Sequence, residues 1–409
     1  MKIRVGVIFG GESVEHEVSI ISAIQAMNKM DEDKYEIVPI YITKDREWYT
    51  GDMLRDIDVY QDLNLIKNYS SNVVLYYKDG SYVLQKKKGL FKSIVREIDI
   101  AFPIVHGTNV EDGVLQGYLQ TVGIPFVGPD VYAAVVGQDK AFMKDVWKEA
   151  GLPMTNYVWF YDVDYKQDKD EIMKKISKLK YPLIIKPATT GSSVGISVAE
   201  NETSLIEGID EAIQYDSKII VEEVVENLKE VNIAVMGNYE HQKLSEIEEV
   251  LSGNKFLTYQ DKYIGGGKGK MKGAMKAPAK TPSKGMASAN RKIPADLSEK
   301  TRNEIEEIAH TAFKVLGSAG NSRIDFLIDD KTSKVYINEI NSIPGSLAFY
   351  LWDAKGVDFT SVLDDMINTG IKDYKKRISK THSFETNILA GFASNGGVKG
   401  MKGAKGKLR

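Results

Sequence analysis

The stretch RIDFLIDDKTSKVYINEINSIPG, residues 323–345, contains the pattern that decides the fold of this chain. Two apolar runs with alternating polar positions flank a short acidic turn, which predicts a pair of hairpin strands. Side chains alternate between the two faces of a strand, so Arg323 and Asp325 share one face, as Glu339 and Asn341 do on the next strand. We therefore expect two carboxylates, a carboxamide and a guanidinium to lie close together.

These side chains supply the hard oxygen ligands that magnesium prefers, and they leave room for phosphate oxygens. Ser-Ile-Pro-Gly follows directly after Asn341, and this turn would leave backbone N–H groups available to an oxyanion. We interpret the hairpin as a site for magnesium and phosphate. The alternative is a salt-bridged polar sheet face that binds no ligand.

Two segments upstream of the hairpin suggest a nucleotide site. KPATTGSSVG places Lys186 at a strand end before a glycine-serine turn, which is typical of a phosphate clamp, although the P-loop pattern is absent. In VEEVV, residues 221–225, acids interrupt an apolar strand, and Glu222 or nearby backbone could bind the amino group of a purine. The alternative for VEEVV is an edge strand with solvated acids.

The N-terminal segment GGESVEHEVS, residues 10–19, predicts a glycine turn that opens a helix. Such a turn binds anions or polar ligands, and Glu15 either anchors an ammonium group or only complements the helix dipole. GxGxxG is absent, so a dinucleotide site is not supported. His106 stands alone at a strand end in VHGTNVEDG, a position typical of a structural histidine.

Composition indicates an ordinary globular protein. The chain has 409 residues, 43% hydrophobic and 27% charged, with a net charge of -3 that argues against a general polyanion binder. This length predicts two or three domains, and the apolar runs are too short to cross a bilayer. The first residues resemble a buried strand rather than a signal peptide. Without cysteine there is no disulfide or thiolate zinc site, which fits a reducing cytoplasm.

Two basic segments, residues 264–292 and 396–409, are rich in lysine and glycine and contain no acidic residue. They contain no aromatic side chains on which bases could stack, so we interpret them as solvated segments rather than nucleic-acid tails. In residues 1–129, short apolar strands alternate with helical stretches, which predicts an α/β layer with a mostly parallel sheet.

Taken together and in this order, five segments resemble the D-alanine–D-alanine ligase family of the ATP-grasp fold. They are GGESVEHEVS, HGTNVEDGVLQG, KPATTGSSVGIS, TYQDKY and RIDF…NEINSIPG. The resemblance covers the chain from Lys2 to about Lys372. It implies an α/β fold with α+β elements: an N-terminal α/β substrate-binding domain with a parallel sheet, followed by a two-domain ATP-grasp module. The expected segments are 1–129 (N-terminal), 130–222 (central ATP-grasp), 223–375 (C-terminal catalytic) with a lid loop at 256–294, and a basic tail at 376–409.

The resemblance also implies roles for individual residues. Those expected to contact ATP are Lys140, Lys186, Glu222, Val225, Glu230 and Lys262. Those expected to act in catalysis are a trio that closes the loop over the substrates (Glu15, Ser192 and Tyr263) and the pair that stabilises the oxyanion (Arg323 and Gly345). Those expected to hold two magnesium ions, with Mn²⁺ as an alternative, are Asp325, Glu339 and Asn341. Those expected near the first amino acid are His106 and Glu111, and near the second Tyr350 and Leu351.

The implied reaction is the ATP-dependent joining of two D-alanines through an acyl phosphate, giving D-Ala-D-Ala for peptidoglycan. ATP and amino acids would be the partners of a cytoplasmic homodimer, with no nucleic acid and no membrane. In the family pattern, a histidine at the position of Tyr263 would favour D-lactate as the second substrate. The tyrosine found here favours an amine nucleophile.

The sequence departs from the family pattern at two points. Tyr350 stands where the family commonly has a serine that binds a carboxylate, and Val110 replaces a usual glycine. The second amino acid is therefore left open, and one alternative is a ligase that makes D-Ala-D-Ser or another dipeptide. Another alternative is a nucleotide-binding protein without catalysis, although the intact Arg323, Asp325 and Glu339 argue against it.

Overall fold

The computed structural model describes residues 2–89, 92–191, 194–251 and 291–383. The chain forms one unit, Met1–Ile371, and a second that begins at Lys372. Within the described part of the second unit, the guanidinium of Arg377 lies 5.4 Å from the ring centre of Tyr374. The division into domains at 129, 222 and 375 stays a prediction.

The first sheet is built from the N-terminal part of the chain, in the order β6-β5-β4-β3-β2-β1-β7. Its strands are β1 (Ile3–Gly10), β2 (Tyr35–Ile42), β3 (Trp48–Thr50), β4 (Ser71–Lys78), β5 (Ser81–Lys86), β6 (Ile94–Ile98) and β7 (Ile100–Pro103). The helices of this part are α1 (His16–Met27), α2 (Leu63–Tyr69) and α3 (Val114–Val122).

This sheet is mixed, and the prediction of a mostly parallel sheet holds only for β1 with its neighbours β2 and β7. The pairs from β2 through β6 are antiparallel. Parallel pairing needs a long crossover, which α1 provides between β1 and β2. The connection between β4 and β5 is only Asp79-Gly80, with φ of 49° and 90°, and a two-residue turn of this kind makes an antiparallel hairpin.

The second sheet has the order β10-β9-β11-β8, and its strand pairs are antiparallel. Its strands are β8 (Tyr157–Tyr161), β9 (Leu183–Pro187), β10 (Ser197–Ala199) and β11 (Lys218–Glu223). The helices before and within it are α4 (Val131–Gln138), α5 (Lys140–Glu149), α6 (Asp162–Gln167), α7 (Lys169–Ile176) and α8 (Glu202–Ala212). The predicted strand pair around KPATTGSSVGIS is confirmed as β9 and β10.

The third sheet carries the decisive hairpin and has the order β14-β13-β12-β15-β16. Its strands are β12 (Leu228–Gly237), β13 (Gln242–Val250), β14 (Arg291–Lys292), β15 (Gly320–Asp329) and β16 (Lys334–Asn341). The helices are α9 (Glu299–Val315), α10 (Phe349–Asp353) and α11 (Phe359–Ile378). Antiparallel pairing of β15 with β16 confirms the hairpin. Helix α11 runs through the predicted start of the tail at 376.

Three apolar clusters lie against these sheets. The first contains β1 and α1 residues such as Val7 and Ala23, and it also contains Leu347, Leu351 and Met366 from the end of the unit. The N-terminal sheet therefore shares its core with residues more than three hundred positions later. Among the described residues, no helix is both long and apolar enough to span a membrane.

Candidate active site

The polar face predicted for the hairpin is present on β15 and β16. Arg323 lies opposite Asn341, and Asp325 lies opposite Glu339. Arg323 donates from Nε and Nη2 to the two carboxylate oxygens of Asp325, at 2.6 and 2.8 Å, and Asn341 Nδ2 donates to Asp325 at 3.1 Å. Burial alone would lower the pKa of Arg323, but the Asp325 charge outweighs it and raises that pKa. The guanidinium is therefore a fixed positive charge.

The same face has the chemistry of a magnesium site. Asp325 and Glu339 contribute carboxylate oxygens, and Asn341 contributes an amide oxygen. A carboxylate has about four lone-pair positions, so Asp325 can accept from Arg323 and still bind a cation. Within the described residues no three His, Cys, Asp or Glu side chains form a metal cluster, so the third protein ligand would be the amide.

Glu111 connects the N-terminal part to the turn after β16. Its Oε1 accepts from Ser342 Oγ and from the Ile343 N–H, both at 2.9 Å, and its Oε2 accepts from the Gly107 N–H at 2.9 Å. Burial and the nearby charge of Glu15 raise the pKa of Glu111 to about 7, although these three donors act in the opposite direction. The side chain is thus a buried carboxylate close to its protonation midpoint at neutral pH.

His106 is buried in the loop between β7 and α3, the loop that also contains Glu111. Its Nε2 is 3.1 Å from Ser22 Oγ, and the same hydroxyl oxygen accepts from the Ser346 N–H at 2.8 Å. Burial lowers the pKa of His106, which favours a neutral imidazole. The histidine thereby supports the turn that contains Gly345.

That turn contains unusual backbone. Ser346, Leu347 and Ala348 have φ of 53°, 50° and 46°, a run of left-handed residues that are not glycine. Each such residue costs about 1–2 kcal/mol. Asn321 offsets part of this cost, because its Nδ2 donates to the Leu347 carbonyl at 2.5 Å while its Oδ1 accepts from Trp352 Nε1 at 3.0 Å.

Glu15 is positioned by the glycine turn between β1 and α1. Gly10 has φ +89°, and a Cβ there would lie 2.2 Å from the Ile42 carbonyl, so only glycine fits. The Glu15 carboxylate lies close to two other glycines: a Cβ on Gly107 or Gly191 would come within 2.9 or 2.8 Å of its Oε2. Glu15 is therefore beside the residue that precedes Ser192.

Lysines from one helix, α5, and one strand, β9, gather around the second sheet. Lys140 Nζ donates to the Thr190 carbonyl at 2.9 Å. The buried carboxylate of Glu222 forms ion pairs with Lys186 and Lys144, both at 2.9 Å. Burial would raise the pKa of Glu222, but the two lysine charges outweigh it and lower that pKa to about 2.

The charges that act on these lysines include one from the polar face of β15 and β16. Burial would lower the pKa of Lys186, but the charges of Glu222, Glu339 and Glu230 outweigh it and raise that pKa. Burial lowers the pKa of Lys144. The raised pKa keeps Lys186 positively charged, which suits a phosphate.

One cavity brings many of the predicted residues together, with an empty volume of about 880 Å³ that includes open solvent. Expected site residues in its lining are Glu15, His106, Glu111, Lys140, Arg323, Glu339, Asn341 and Gly345. Asp325 contacts this lining through Arg323, and the charge of the lining residue Glu339 acts on Lys186. The cavity thus joins the N-terminal segment, the start of α5 with the loop after β9, and the hairpin.

The other predicted residues are distributed as follows. Val225 and Glu230 are half-buried near the start of β12, and Tyr350 is half-buried on α10. The Leu351 side chain is fully buried in the first core, so only its backbone could contact a substrate. Ser192, Lys262, Tyr263 and most of the predicted lid lie outside the described residues.

Three residues near the site were not found from the sequence. Lys144 follows Lys140 by one helical turn, a spacing that could have identified it. Glu248 and Arg291 form a buried ion pair at 2.7 Å, and Tyr350 donates to the same glutamate at 3.1 Å. No local pattern links positions 248, 291 and 350.

The chain matches two family models in order. The model described as D-ala D-ala ligase N-terminus matches residues 4–129, and that described as D-ala D-ala ligase C-terminus matches residues 146–368. A D-alanine--D-alanine ligase from Thermosipho melanesiensis is 36% identical over 390 residues, covering 95% of this chain and 98% of the relative. One from Natranaerobius thermophilus is 39% identical over 372 residues, covering 90% and 94%.

Solved structures give the same result. The D-alanine-D-alanine ligase from Coxiella burnetii aligns with a TM-score of 0.75 at 26% identity, covering 96% of this chain and 98% of that one. The VanG D-Ala:D-Ser ligase from Enterococcus faecalis aligns with a TM-score of 0.73 at 28% identity, covering 90% and 100%. These structures confirm the predicted fold class. With both family models matched and close to the full length shared with its relatives, the chain belongs to the D-alanine–D-alanine ligase family.

Proposed function

We propose that this enzyme joins two D-alanines at the expense of ATP, giving D-Ala-D-Ala, ADP and phosphate for cell-wall synthesis. The observation that supports this best is the single cavity that joins Glu15 and Glu111 to Lys140 and Arg323. It combines an anion for the ammonium of an amino acid with cations for phosphate and for a carboxylate. A site that activates one amino acid with ATP and attaches another needs both the anion and the cations.

The first step turns a poor electrophile into a good one. An oxygen of the first D-alanine carboxylate attacks the γ-phosphorus of ATP, the bond from phosphorus to the bridging oxygen of ADP breaks, and an acyl phosphate forms. Lys140 and Lys186 offset the charge on the phosphates. Asp325, Glu339 and Asn341 would hold magnesium, which when bound supplies further neutralisation of phosphate charge.

In the second step, the uncharged amine of the second D-alanine attacks the acyl carbon. Arg323 and the Gly345 N–H bind the oxyanion that develops there, phosphate leaves as the C–O bond breaks, and the attacking nitrogen gives up one proton to the departing phosphate. Glu15 orients the ammonium of the first amino acid, and Glu111 with His106 fixes the turn that presents Gly345. The predicted lid, with Tyr263 and Lys262, would exclude water that otherwise hydrolyses the acyl phosphate.

A second candidate product is D-Ala-D-Ser or another dipeptide. It is favoured by Tyr350 at the usual serine position and by the structural likeness to a D-Ala:D-Ser ligase. Both candidates use the same chemistry and differ only in the acceptor.

The test is an amino-acid screen with ATP and magnesium, read as phosphate release and product mass. Phosphate release with D-alanine alone, together with the mass of D-Ala-D-Ala, is the expected result. Release only with another pair would move the function to that product. No release with any amino acid would favour a nucleotide-binding protein without catalysis and reject the proposal.

We also propose, on the basis of the family resemblance, that the enzyme is a homodimer in the cytoplasm with ATP and amino acids as ligands. Light scattering coupled to size-exclusion chromatography tests the dimer, and a monomer mass would reject it. Cell fractionation followed by immunoblotting tests the compartment.

A further inference from the structure

A row of polar side chains crosses the third sheet from edge to edge. Asp325 is paired in register with Glu339 on one side and with Asn232 on the other, and Asn232 is paired with Glu248. Asn232 Nδ2 donates to Glu248 Oε1 at 3.1 Å. Arg291 on β14 extends the row, with its Nη1 at 2.7 Å from Glu248 Oε2. The row therefore begins at Glu339, one of the proposed magnesium ligands, and ends at a second arginine, Arg291.

This second arginine is nearly buried and fixed on two sides. Its side chain is 11% exposed, and that of Glu248 is 2% exposed. The guanidinium carbon lies 3.9 Å from the ring centre of Tyr350. The Tyr350 hydroxyl donates to Glu248 Oε1 at 3.1 Å, so the three side chains form one interlocked group. We call Arg291, Glu248 and Tyr350 the acceptor cluster.

Through Glu248, the acceptor cluster lies on the same sheet face as Arg323: Glu248 is in register with Asn232, Asn232 is in register with Asp325, and Asp325 is two residues from Arg323. The charge of Glu248 acts on Arg323, which lines the cavity with Gly345. Burial and Glu248 raise the pKa of Tyr350 to about 12, so its phenol stays protonated at neutral pH. Because this hydroxyl donates its single hydrogen to Glu248, Tyr350 cannot also donate to a substrate carboxylate as a serine would.

We propose that Arg291 binds the α-carboxylate of the second amino acid, while Glu248 and Tyr350 hold its guanidinium in place. This inference rests on the proposed function. In an α-amino acid one carbon separates amine from carboxylate, so an amine beside Arg323 brings its carboxylate toward the cluster. A guanidinium has five N–H donors in a fixed fork, so one can bind Glu248 and a substrate carboxylate together.

The test uses hydroxylamine, an acceptor that has an amine but no carboxylate. Enzyme, ATP, magnesium and D-alanine are mixed with a fixed amount of hydroxylamine, and dipeptide and hydroxamate are measured in the same tube. Arg291→Met should lower the ratio of dipeptide to hydroxamate by roughly 10- to 100-fold, since a charge-assisted hydrogen bond is lost. Hydroxamate formation should stay within about twofold, since acyl phosphate formation does not involve Arg291.

Two further variants complete the design. Lys292→Met removes the neighbouring cation, which is half exposed and pairs with Asp296, and it should leave the ratio unchanged. Arg291→Lys keeps the charge without the fork and should give an intermediate ratio. If Arg291→Met fails to fold by circular dichroism, the lysine variant decides the test.

Different results would overturn the proposed function and the acceptor role of Arg291. If the wild-type protein forms neither dipeptide nor hydroxamate from D-alanine, the proposed function is wrong. If the wild type forms both and Arg291→Met, or a folded Arg291→Lys in its place, leaves their ratio unchanged, the acceptor role of Arg291 is wrong. A folded Arg291→Met variant that loses both products equally would also overturn it, because Arg291 would then act on the first step.

Discussion

The carboxylate of Glu111 accepts a hydrogen bond from the backbone N–H of Ile343, 2.9 Å away and 232 residues further along the chain. This contact fixes the turn with Gly345 against the loop that begins at His106. It also places a titrating group in the wall of the cavity, because burial and Glu15 raise the pKa of Glu111 to about 7.

The raised pKa predicts a pH-dependent stability. The ionised form of Glu111 is disfavoured in the folded protein relative to the ordinary pKa of 4.5, so its cost is small below that pH and grows as pH rises to about 7. From about pH 5 to pH 8, wild type should lose roughly 2–3 kcal/mol relative to Glu111→Gln.

Scanning calorimetry of both proteins at the two pH values checks this, and a difference that does not change with pH would contradict it. Glu15→Gln is the companion variant. The charge of Glu15 raises the pKa of Glu111. In Glu15→Gln, the pH range over which Glu111 lowers stability should therefore end at a lower pH.

The ion pairs of Glu222 predict a strong effect of Lys144→Met. This change leaves a buried carboxylate with one lysine instead of two, and removing one partner of a buried pair costs about 3–5 kcal/mol. Thermal unfolding should show the loss. The double variant Lys144→Met/Glu222→Gln should be more stable than the sum of the single losses predicts, and strict additivity would reject the coupling.

The pKa of Glu222 adds a pH dependence of the opposite sign. Because the folded pKa is lowered to about 2, the group stabilises the protein above its ordinary pKa of 4.5, and this contribution is lost as pH falls from there toward 2. The Lys144→Met variant should lose less stability than wild type over this acidic range.

Glu339 lies opposite Asp325 across the two hairpin strands, and the proposed function makes it a magnesium ligand. Glu339→Gln should reduce turnover by more than roughly 100-fold, a loss of several kcal/mol of transition-state stabilisation, while circular dichroism stays unchanged. Asp330→Asn in the exposed hairpin turn is the control and should keep normal turnover. Near-normal activity of Glu339→Gln would remove this residue from the metal site.

Asn321 predicts a catalytic effect without substrate contact. Its amide holds the left-handed turn through the Leu347 carbonyl, so Asn321→Ala should let that turn relax and misplace the Gly345 N–H. We expect kcat to fall by roughly tenfold or more while the KM for ATP stays similar. Steady-state kinetics check this, and a change confined to KM would argue for another role.

The hairpin was predictable because it depends on local patterns. Successive side chains of a strand point to opposite faces, which fixes the residues that share a face. The short acidic turn fixes the pairing of β15 with β16. From these, Arg323, Asp325, Glu339 and Asn341 could be placed together. The direct bonds from Arg323 to Asp325 depend on side-chain geometry that alternation does not specify.

Other features depend on contacts that no local pattern encodes. Glu248, Arg291 and Tyr350 come from two strands and a helix, and only the fold brings them together. In the first sheet, the Asp79-Gly80 turn was a recognisable hairpin signal, but the alternation of strands and helices favoured a parallel sheet. Helical spacing from Lys140 could have pointed to Lys144, but its ion pair with Glu222 joins residues distant in sequence, and no local pattern encodes that pair.

The shared first core has a consequence for the synthesis of the protein. Leu347, Leu351 and Met366 complete the apolar packing against residues such as Val7. During synthesis on the ribosome, the N-terminal sheet therefore keeps part of its apolar surface exposed until Leu347, Leu351 and Met366 have been made. Nascent chains that stall before this point should bind chaperones and be degraded, so the cell obtains either a complete enzyme or none.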